Sequence, residues 1–179
     1  MSALRLINET EITSAVNGIS VTDVFSADFD IYYATISNVS QDSTTGNNTR
    51  MRFVNASGSI VSASNYDNAQ LDMAAETTFG EIRGTNADST GLAFAMTNDL
   101  EPEGISNSYY FFNPYSSSSY TFAIQQGSSR FSGVFRSGKG IAVLKQLTSI
   151  TGFHIYQATS SINLNSGFIR TYGLRVDNG

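Results

Sequence analysis

The chain has 179 residues, a net charge of −5, 14% charged residues and no cysteine. This length suits one domain, so we predict a single domain over residues 1–179, with residues 1–15 as a candidate extended N-terminal arm. The lack of cysteine excludes disulfides and thiolate metal sites within the chain. The acidic balance, with basic residues dispersed along the sequence, argues against nucleic-acid binding.

The N-terminus lacks the pattern of a secretory signal. No basic leader precedes a long apolar run, and no stretch of about eighteen apolar residues occurs anywhere in the chain. We therefore expect cytoplasmic synthesis, without a signal peptide and without a membrane-spanning segment.

The charges are divided unevenly. Up to Glu103, fourteen acidic residues stand against four arginines, a net charge of −10, whereas from Gly104 onward six basic residues stand against Asp177, a net charge of +5. Either the two halves attract each other within one domain, or complementary faces meet between copies of the chain. We favour attraction within the chain.

The N-terminal half carries several short strand signals. Apolar residues mark segments 4–7 and 16–24, the second interrupted by the turn signal Asn17-Gly18, and segment 50–61 predicts a short hairpin with Gly58 at its tip. Segment 31–39 is the strongest strand signal, and its two partly apolar faces predict a central strand. Alternation assigns Tyr32, Ala34 and Ile36 to one face and Ile31, Tyr33 and Val39 to the other.

An aromatic hairpin is predicted in the middle of the chain. Residues 109–122 read YYFFNPYSSSSYTF, two aromatic runs separated by Asn113-Pro114 and four serines. Aromatic residues suit a pleated, half-buried surface, and Asn-Pro supplies a turn. Packing in the core is the favoured role of the tyrosines. The candidate contacts to a glycan or to a neighbouring subunit are Tyr109, Tyr110, Tyr115 and Tyr120.

The remaining segments extend the same pattern. Strand signals occur at 82, 92–96 and 153–156, with a long loop predicted over 98–107, a flexible connection over 133–140 and a loop over 160–167. The apolar run at 141–144 is expected to be buried on both sides. The last strand is predicted over 168–176, with Phe168, Arg170, Tyr172, Leu174 and Val176 on one face.

About ten to twelve short strands, with turn signals about every dozen residues and no sustained helical period, predict an all-β, antiparallel β-sandwich. A jelly roll is the favoured arrangement, because two antiparallel sheets can hold that many strands around one core. No fixed-period repeat occurs, which argues against propellers and solenoids.

The sequence predicts no catalytic, cofactor-binding or metal-binding residue. Segment 133–140 has the spacing of a phosphate-binding loop, but Gly140 stands where a serine or threonine should follow Lys139. His154 is the single histidine, which excludes a multi-histidine metal centre within one chain, and no Gly-x-Ser-x-Gly elbow is present.

Two groups of acidic residues are candidates for chemistry. Paired acids serve glycoside hydrolysis or bind calcium, but an aspartate before a strand more commonly caps a turn, and an acidic loop is commonly solvated. We favour these structural roles. The groups are Asp23, Asp28 and Asp30, and Asp99, Glu101 and Glu103.

Several segments resemble motifs of virion structural proteins from tailed bacteriophages, particularly marine phages. They are NET at 8–10, VTDVFSADFDIY at 21–32, FFNPYS at 111–116, VLKQ at 143–146 and IRTYGLRV at 169–176. The resemblance implies a β-sandwich subunit present in many copies on the capsid surface or the tail, and it transfers no catalytic residue.

Three functional hypotheses follow. The first is a non-enzymatic virion protein, a capsid decoration or head-surface protein that assembles as a homo-oligomer, with a trimer among the options, and contacts major capsid or tail proteins. The second is a tail-associated adhesin that binds host glycans through exposed tyrosines such as Tyr115. The third is an enzyme with Asp28 and Asp30 as its acids.

Overall fold

The computed structural model describes residues 4–43, 48–76, 78–91, 104–131 and 134–174. These ranges contain no helix that is long and apolar enough to span a lipid bilayer. They form twelve strands: β1 Leu4–Ile12, β2 Gly18–Val21, β3 Ile31–Gln41, β4 Thr49–Asn55, β5 Tyr66–Ala74, β6 Gly80–Ala87, β7 Thr90–Gly91, β8 Ile105–Phe112, β9 Thr121–Phe131, β10 Val134–Leu144, β11 Ile150–Gln157 and β12 Leu164–Leu174.

The strands form two antiparallel sheets packed against each other, which confirms the predicted β-sandwich and the number of strands. The large sheet has eight strands in the order β1-β12-β3-β8-β9-β10-β5-β6, and the small sheet has four in the order β2-β11-β4-β7. This division differs from the two four-stranded sheets of a jelly roll, and the jelly-roll arrangement is not confirmed.

An aromatic cluster joins the two sheets. The Phe111 ring of β8 lies 5.8 Å from the ring of Phe53 on β4 and 5.5 Å from that of Phe153 on β11, centroid to centroid. Phe25, from the segment between β2 and β3, packs 5.2 Å from Phe111. All four side chains are buried, so the core lies between the inner face of the large sheet and the small sheet.

The predicted aromatic hairpin is present as β8 and β9, which pair with Phe112 opposite Phe122. The turn begins at Asn113, whose φ of 53° lies in the left-handed region that asparagine tolerates better than most residues. The carbonyl of Pro114 accepts a hydrogen bond from the Ile150 amide at 2.8 Å. The turn of the large sheet is thereby tied to β11 of the small sheet.

The predicted strand at 31–39 is β3, and it extends to Gln41. The prediction that Val39 shares a face with Ile31 and Tyr33 is wrong. The register shifts between Ile36 and Val39, where Asn38 has a φ of 53°, and this irregularity turns Val39 into the core. A bulge of this kind reverses the alternation of the side chains beyond it.

Two predictions for the region of β10 are wrong. Residues 134–140 are not a flexible connection, because they form the first part of the strand. Gly140 faces inward, where an added Cβ would lie 2.8 Å from Gln70 Cγ and from the Ala69 carbonyl. Residues 141–144 are not buried on both sides, because Ile141 is 60% exposed while Leu144 is buried.

Other segment boundaries also differ from the predictions. The loop predicted over 98–107 ends earlier, since β8 begins at Ile105, and β12 begins at Leu164 inside the loop predicted over 160–167. Residues 92–103 and 175–179 lie outside the described residues, and they include the strand predicted at 92–96, the Val176 assignment and the acidic group at 99–103.

Ion pairs among the described residues connect the acidic and basic halves of the chain. They join Arg136 to Asp72 at 3.5 Å, Lys145 to Asp67 at 2.8 Å and Arg170 to Glu9 at 2.5 Å. In each pair a basic residue of the C-terminal half contacts an acid of the N-terminal half, as the interpretation of attraction within the chain predicts.

Candidate self-association surface

The outer face of the large sheet, turned away from the small sheet, carries two rows of apolar side chains. The register places these residues side by side across six neighbouring strands. The first row consists of Leu6, Tyr172, Tyr33, Tyr110, Ile124 and Ile141. The second consists of Leu4, Leu174, Ile31, Phe112, Phe122 and Val143. We call these twelve residues the outer apolar face.

The outer apolar face is largely accessible to solvent. Phe122 is 47% exposed, Ile124 48% and Ile141 60%, although each lies within a long, regularly paired strand. Single exposed apolar residues are common on protein surfaces, whereas contiguous apolar patches mark interaction sites. The continuity of the two rows therefore indicates a contact surface.

Three tyrosines of the first row contact one another. The ring centroid of Tyr33 lies 4.9 Å from that of Tyr110 and 6.1 Å from that of Tyr172, each on a neighbouring strand. Such cross-strand aromatic pairs stabilise a sheet and hold the rings in fixed positions. The three tyrosine rings of this row therefore already have fixed positions in the isolated chain.

A groove runs along the outer apolar face near β9 and β10. It has a volume of about 720 Å³ and is lined by Phe112, Phe122, Ile124, Ile141 and Val143, with Arg83 and Thr85 of β6 at its border. A concave apolar surface of this size can accept side chains of a partner.

The other half of the outer face is polar. The row next to the tyrosines consists of Thr35, Ser108 and Gln126. The Glu9–Arg170 ion pair lies at one end of this row, and Lys139 of β10, opposite Gln126, lies at the other end. Further serines line a shallow groove of about 340 Å³ beside them. The outer face is thus divided into an apolar half and a hydroxyl-rich half.

The four tyrosines singled out in the sequence occupy different environments. Tyr109 is 1% exposed and packs against Phe111 in the core. Tyr110 belongs to the outer apolar face, and Tyr115 and Tyr120 lie on the loop between β8 and β9, each about two-fifths exposed. The alternation of β8 places neighbouring tyrosines on opposite faces, so Tyr109 faces away from the surface that carries Tyr110.

The sequence analysis missed the aliphatic members of the surface, Ile124 and Ile141. Two segments, 31–39 and 141–144, carry a signal that could have indicated this surface, because both are apolar on both faces. We attributed this pattern to burial, although an uncovered contact face produces the same pattern. Pattern alone does not distinguish the two cases, because both require apolar residues at successive positions.

The residues considered for chemistry are not brought together into a metal centre. Asp28 accepts a hydrogen bond from Ser26 Oγ at 3.1 Å, and Asp23 lies in a turn with a φ of 58°. Within the described ranges, no three histidine, cysteine or carboxylate side chains come close enough to hold a metal ion.

His154 lies on the small sheet with its Nδ1 2.8 Å from Ser20 Oγ and its ring stacked on Tyr156. Burial and the nearby Arg52 guanidinium both lower the pKa of His154. A catalytic serine–histidine pair also needs a third group that orients the imidazole, and the described contacts of His154 include no carboxylate in that role.

Comparison with known proteins adds no assignment, since neither a protein-family model nor a curated protein matches the sequence.

Proposed function

We propose that the protein is a non-enzymatic structural subunit of a bacteriophage virion, a capsid decoration protein that assembles with copies of itself through the outer apolar face. The observation that carries the proposal is the pair of apolar rows that crosses six strands of the large sheet. The resemblance of several segments to phage virion proteins supplies the particle context.

The dimensions of the surface favour a partner with a flat, rigid face. The six strands that carry the two rows are about 4.8 Å apart and together roughly 29 Å wide, and the two rows occupy roughly 14 Å along the strands, so they cover roughly 400 Å². A stable interface buries about 800 Å² on each partner, so the outer apolar face with its polar border approaches the area needed.

The composition of the surface favours a second copy of the chain as that partner. The twelve residues of the outer apolar face carry no charge, so two such faces can meet without burying an unpaired ion. Two-fold assemblies use the same patch on both subunits, and a continuous apolar row is complementary to itself.

Sedimentation velocity of the purified protein tests this proposal. We expect the wild-type chain to form a defined oligomer and Ile141→Lys to weaken association at least about tenfold, because association would bury an unpaired ammonium group. Leu147→Lys is the matched control, since Leu147 is 62% exposed but lies in the loop between β10 and β11. A monomeric wild type, or equal effects of the two variants, would contradict the proposal.

The particle context has a separate test. Mass spectrometry of purified virions should find this chain at a fixed stoichiometry relative to the major capsid protein. Its absence from particles would contradict the virion assignment even if the isolated chain self-associates.

A tail-borne adhesin is the second candidate, favoured by the exposure of Tyr115 and Tyr120 on one loop. Aromatic rings can stack on sugar rings, and these two rings lie beyond the hydrogen-bonded part of the sheet. Glycan-array binding that Tyr115→Ala abolishes and Tyr172→Ala preserves would favour this candidate over the decoration protein.

A further inference from the structure

A polar cleft lies on the opposite side of the large sheet from the outer apolar face. It opens between Gly91 and Ser89 at the edge of the small sheet and the inner faces of β5 and β6, and its volume is about 250 Å³. Its lining includes Arg50, Asn68, Gln70, Asp72, Arg83 and Ser89. No part of the proposed function uses this cleft.

Two buried acceptor atoms in the cleft lack hydrogen-bond partners among the described residues. Gln70 is 7% exposed and its Oε1 makes no hydrogen bond. Asp72 Oδ1 is likewise buried without a partner, while its Oδ2 lies 3.5 Å from Arg136. Buried side-chain oxygens in folded proteins nearly always accept hydrogen bonds. A ligand that supplies hydroxyl donors would satisfy both atoms.

The lack of a side chain at Gly91 leaves room for the Gln70 amide at the cleft. A Cβ at Gly91 would lie 2.6 Å from Gln70 Nε2, so the amide occupies space that other residue types would fill. Gly140 likewise leaves room for the aliphatic part of the Gln70 side chain, because a Cβ at Gly140 would lie 2.8 Å from Gln70 Cγ. Two separate strands thus leave room for one buried polar side chain.

The rim of the cleft carries the guanidinium group of Arg50. Arg50 lies 3.8 Å from Asp88, a carboxylate that also binds Arg52, so the two guanidinium groups share one acid. Guanidinium groups match the planar geometry of a carboxylate.

We propose that this cleft binds an acidic monosaccharide, such as the uronic acid unit of a glycan. The sugar hydroxyls donate hydrogen bonds to Gln70 Oε1 and Asp72 Oδ1, and the carboxylate binds Arg50. The cleft is smaller than the roughly 300 to 1,000 Å³ of sites for drug-sized ligands, which suits a single sugar ring.

Calorimetric or NMR titration with sodium glucuronate tests the proposal. Glucose supplies the hydroxyls without the charge, and acetate and inorganic phosphate supply charge without the ring. We expect glucuronate to bind at least about tenfold more tightly than each of the three. Equal binding of phosphate, or no binding of glucuronate, would overturn the proposal.

Three variants locate the site. Gln70→Leu removes the unpartnered acceptor and should abolish glucuronate binding while the melting temperature stays the same or rises. Arg50→Gln should weaken glucuronate binding about tenfold, whereas Arg5→Gln, at an exposed arginine of the edge strand β1, should leave it unchanged. Equal effects of the two arginine variants would place binding elsewhere and overturn the proposal, whatever the association state of the chain.

Discussion

Two buried tyrosines differ in what their hydroxyl groups contact. Tyr66 accepts a hydrogen bond from the Phe53 amide and donates one to the Val61 carbonyl, both at 2.9 Å. Tyr109 is equally buried, but its hydroxyl has no hydrogen-bond partner in the part of the chain that the structure describes. The Tyr66 hydroxyl connects β5 to the small sheet, whereas burial of the Tyr109 hydroxyl removes its hydration without providing a hydrogen bond in return.

Replacing each tyrosine by phenylalanine should therefore change stability in opposite directions. Tyr66→Phe leaves a backbone donor and a backbone acceptor unpaired, and we expect it to lower the free energy of unfolding by about 2 kcal/mol. Tyr109→Phe removes an unpaired hydroxyl and should raise this free energy by up to about 1 kcal/mol. Urea denaturation measures both, and a larger loss for Tyr109→Phe would contradict the assignment.

The single histidine should make stability depend on pH near neutrality. Burial and the Arg52 guanidinium hold the pKa of His154 below its ordinary value of 6.5. As the pH falls through 6.5, the unfolded chain binds a proton before the folded chain does, so the free energy of unfolding decreases.

Urea denaturation at about pH 7.5 and about pH 5.5 checks this prediction. We expect the wild type to be less stable at the lower pH and His154→Gln to lose most of the difference. The lowered pKa values of Asp42, Asp67 and Asp88 act below 3.8, outside this window. A pH dependence that survives in the variant would show that another group is responsible.

At the scale of the strand, glycines allow close contacts that other residues would prevent. Gly152 lies at a register irregularity of β11, where an added Cβ would be 2.1 Å from the Val21 carbonyl oxygen. Gly80, at the start of β6, has no neighbour closer than 3.5 Å to the same added atom. Packing therefore requires glycine at position 152 but not at position 80.

Alanine substitutions should separate these two cases. Gly152→Ala forces the backbones of β11 and β2 apart, and we expect a loss of about 2 to 3 kcal/mol in the free energy of unfolding. Gly80→Ala should change it by less than about 0.5 kcal/mol. Thermal or chemical denaturation measures both, and a large effect at Gly80 would be inconsistent with the open space around it.

The strands differ in how well the sequence predicts them. The alternation in β8 and β9 is regular, so the hairpin was predicted correctly. In β9, however, the more apolar face with Phe122 and Ile124 is exposed, and the face with Thr121 and Gln125 is buried. The face of Val39 was not, because the bulge at Asn38 has no hydrophobic signature. Residues 134–140 were taken for a connection because glycine usually marks a turn, whereas here Gly140 makes room for Gln70.

The candidate sites were less predictable than the strands. The sequence indicates the tyrosines by composition, but only the register aligns Tyr33, Tyr110 and Tyr172 into one row. The polar cleft depends on contacts between distant segments, since Arg50 and Gln70 come from different sheets. Local patterns carry no information on such pairings.

At the scale of the whole molecule, the response to salt distinguishes two modes of association. If the outer apolar face drives association, sodium chloride between about 0.05 and about 0.5 M should change the dissociation constant little, and sodium sulfate should lower it. If complementary charged faces drive association, sodium chloride should weaken it steeply. Sedimentation velocity in the two salts measures this, and a steep loss in chloride would contradict the apolar mode.

The two edges of the large sheet limit how copies can meet. The β1 edge carries Arg5, Glu9 and Glu11 and a register irregularity after Leu6, and the β6 edge carries Glu81 and Arg83. Charges and irregular pairing at an edge discourage strand addition from a neighbouring molecule. Under the proposed self-association, copies therefore meet through the outer apolar face and form closed assemblies of finite size, rather than fibrils extended from edge to edge.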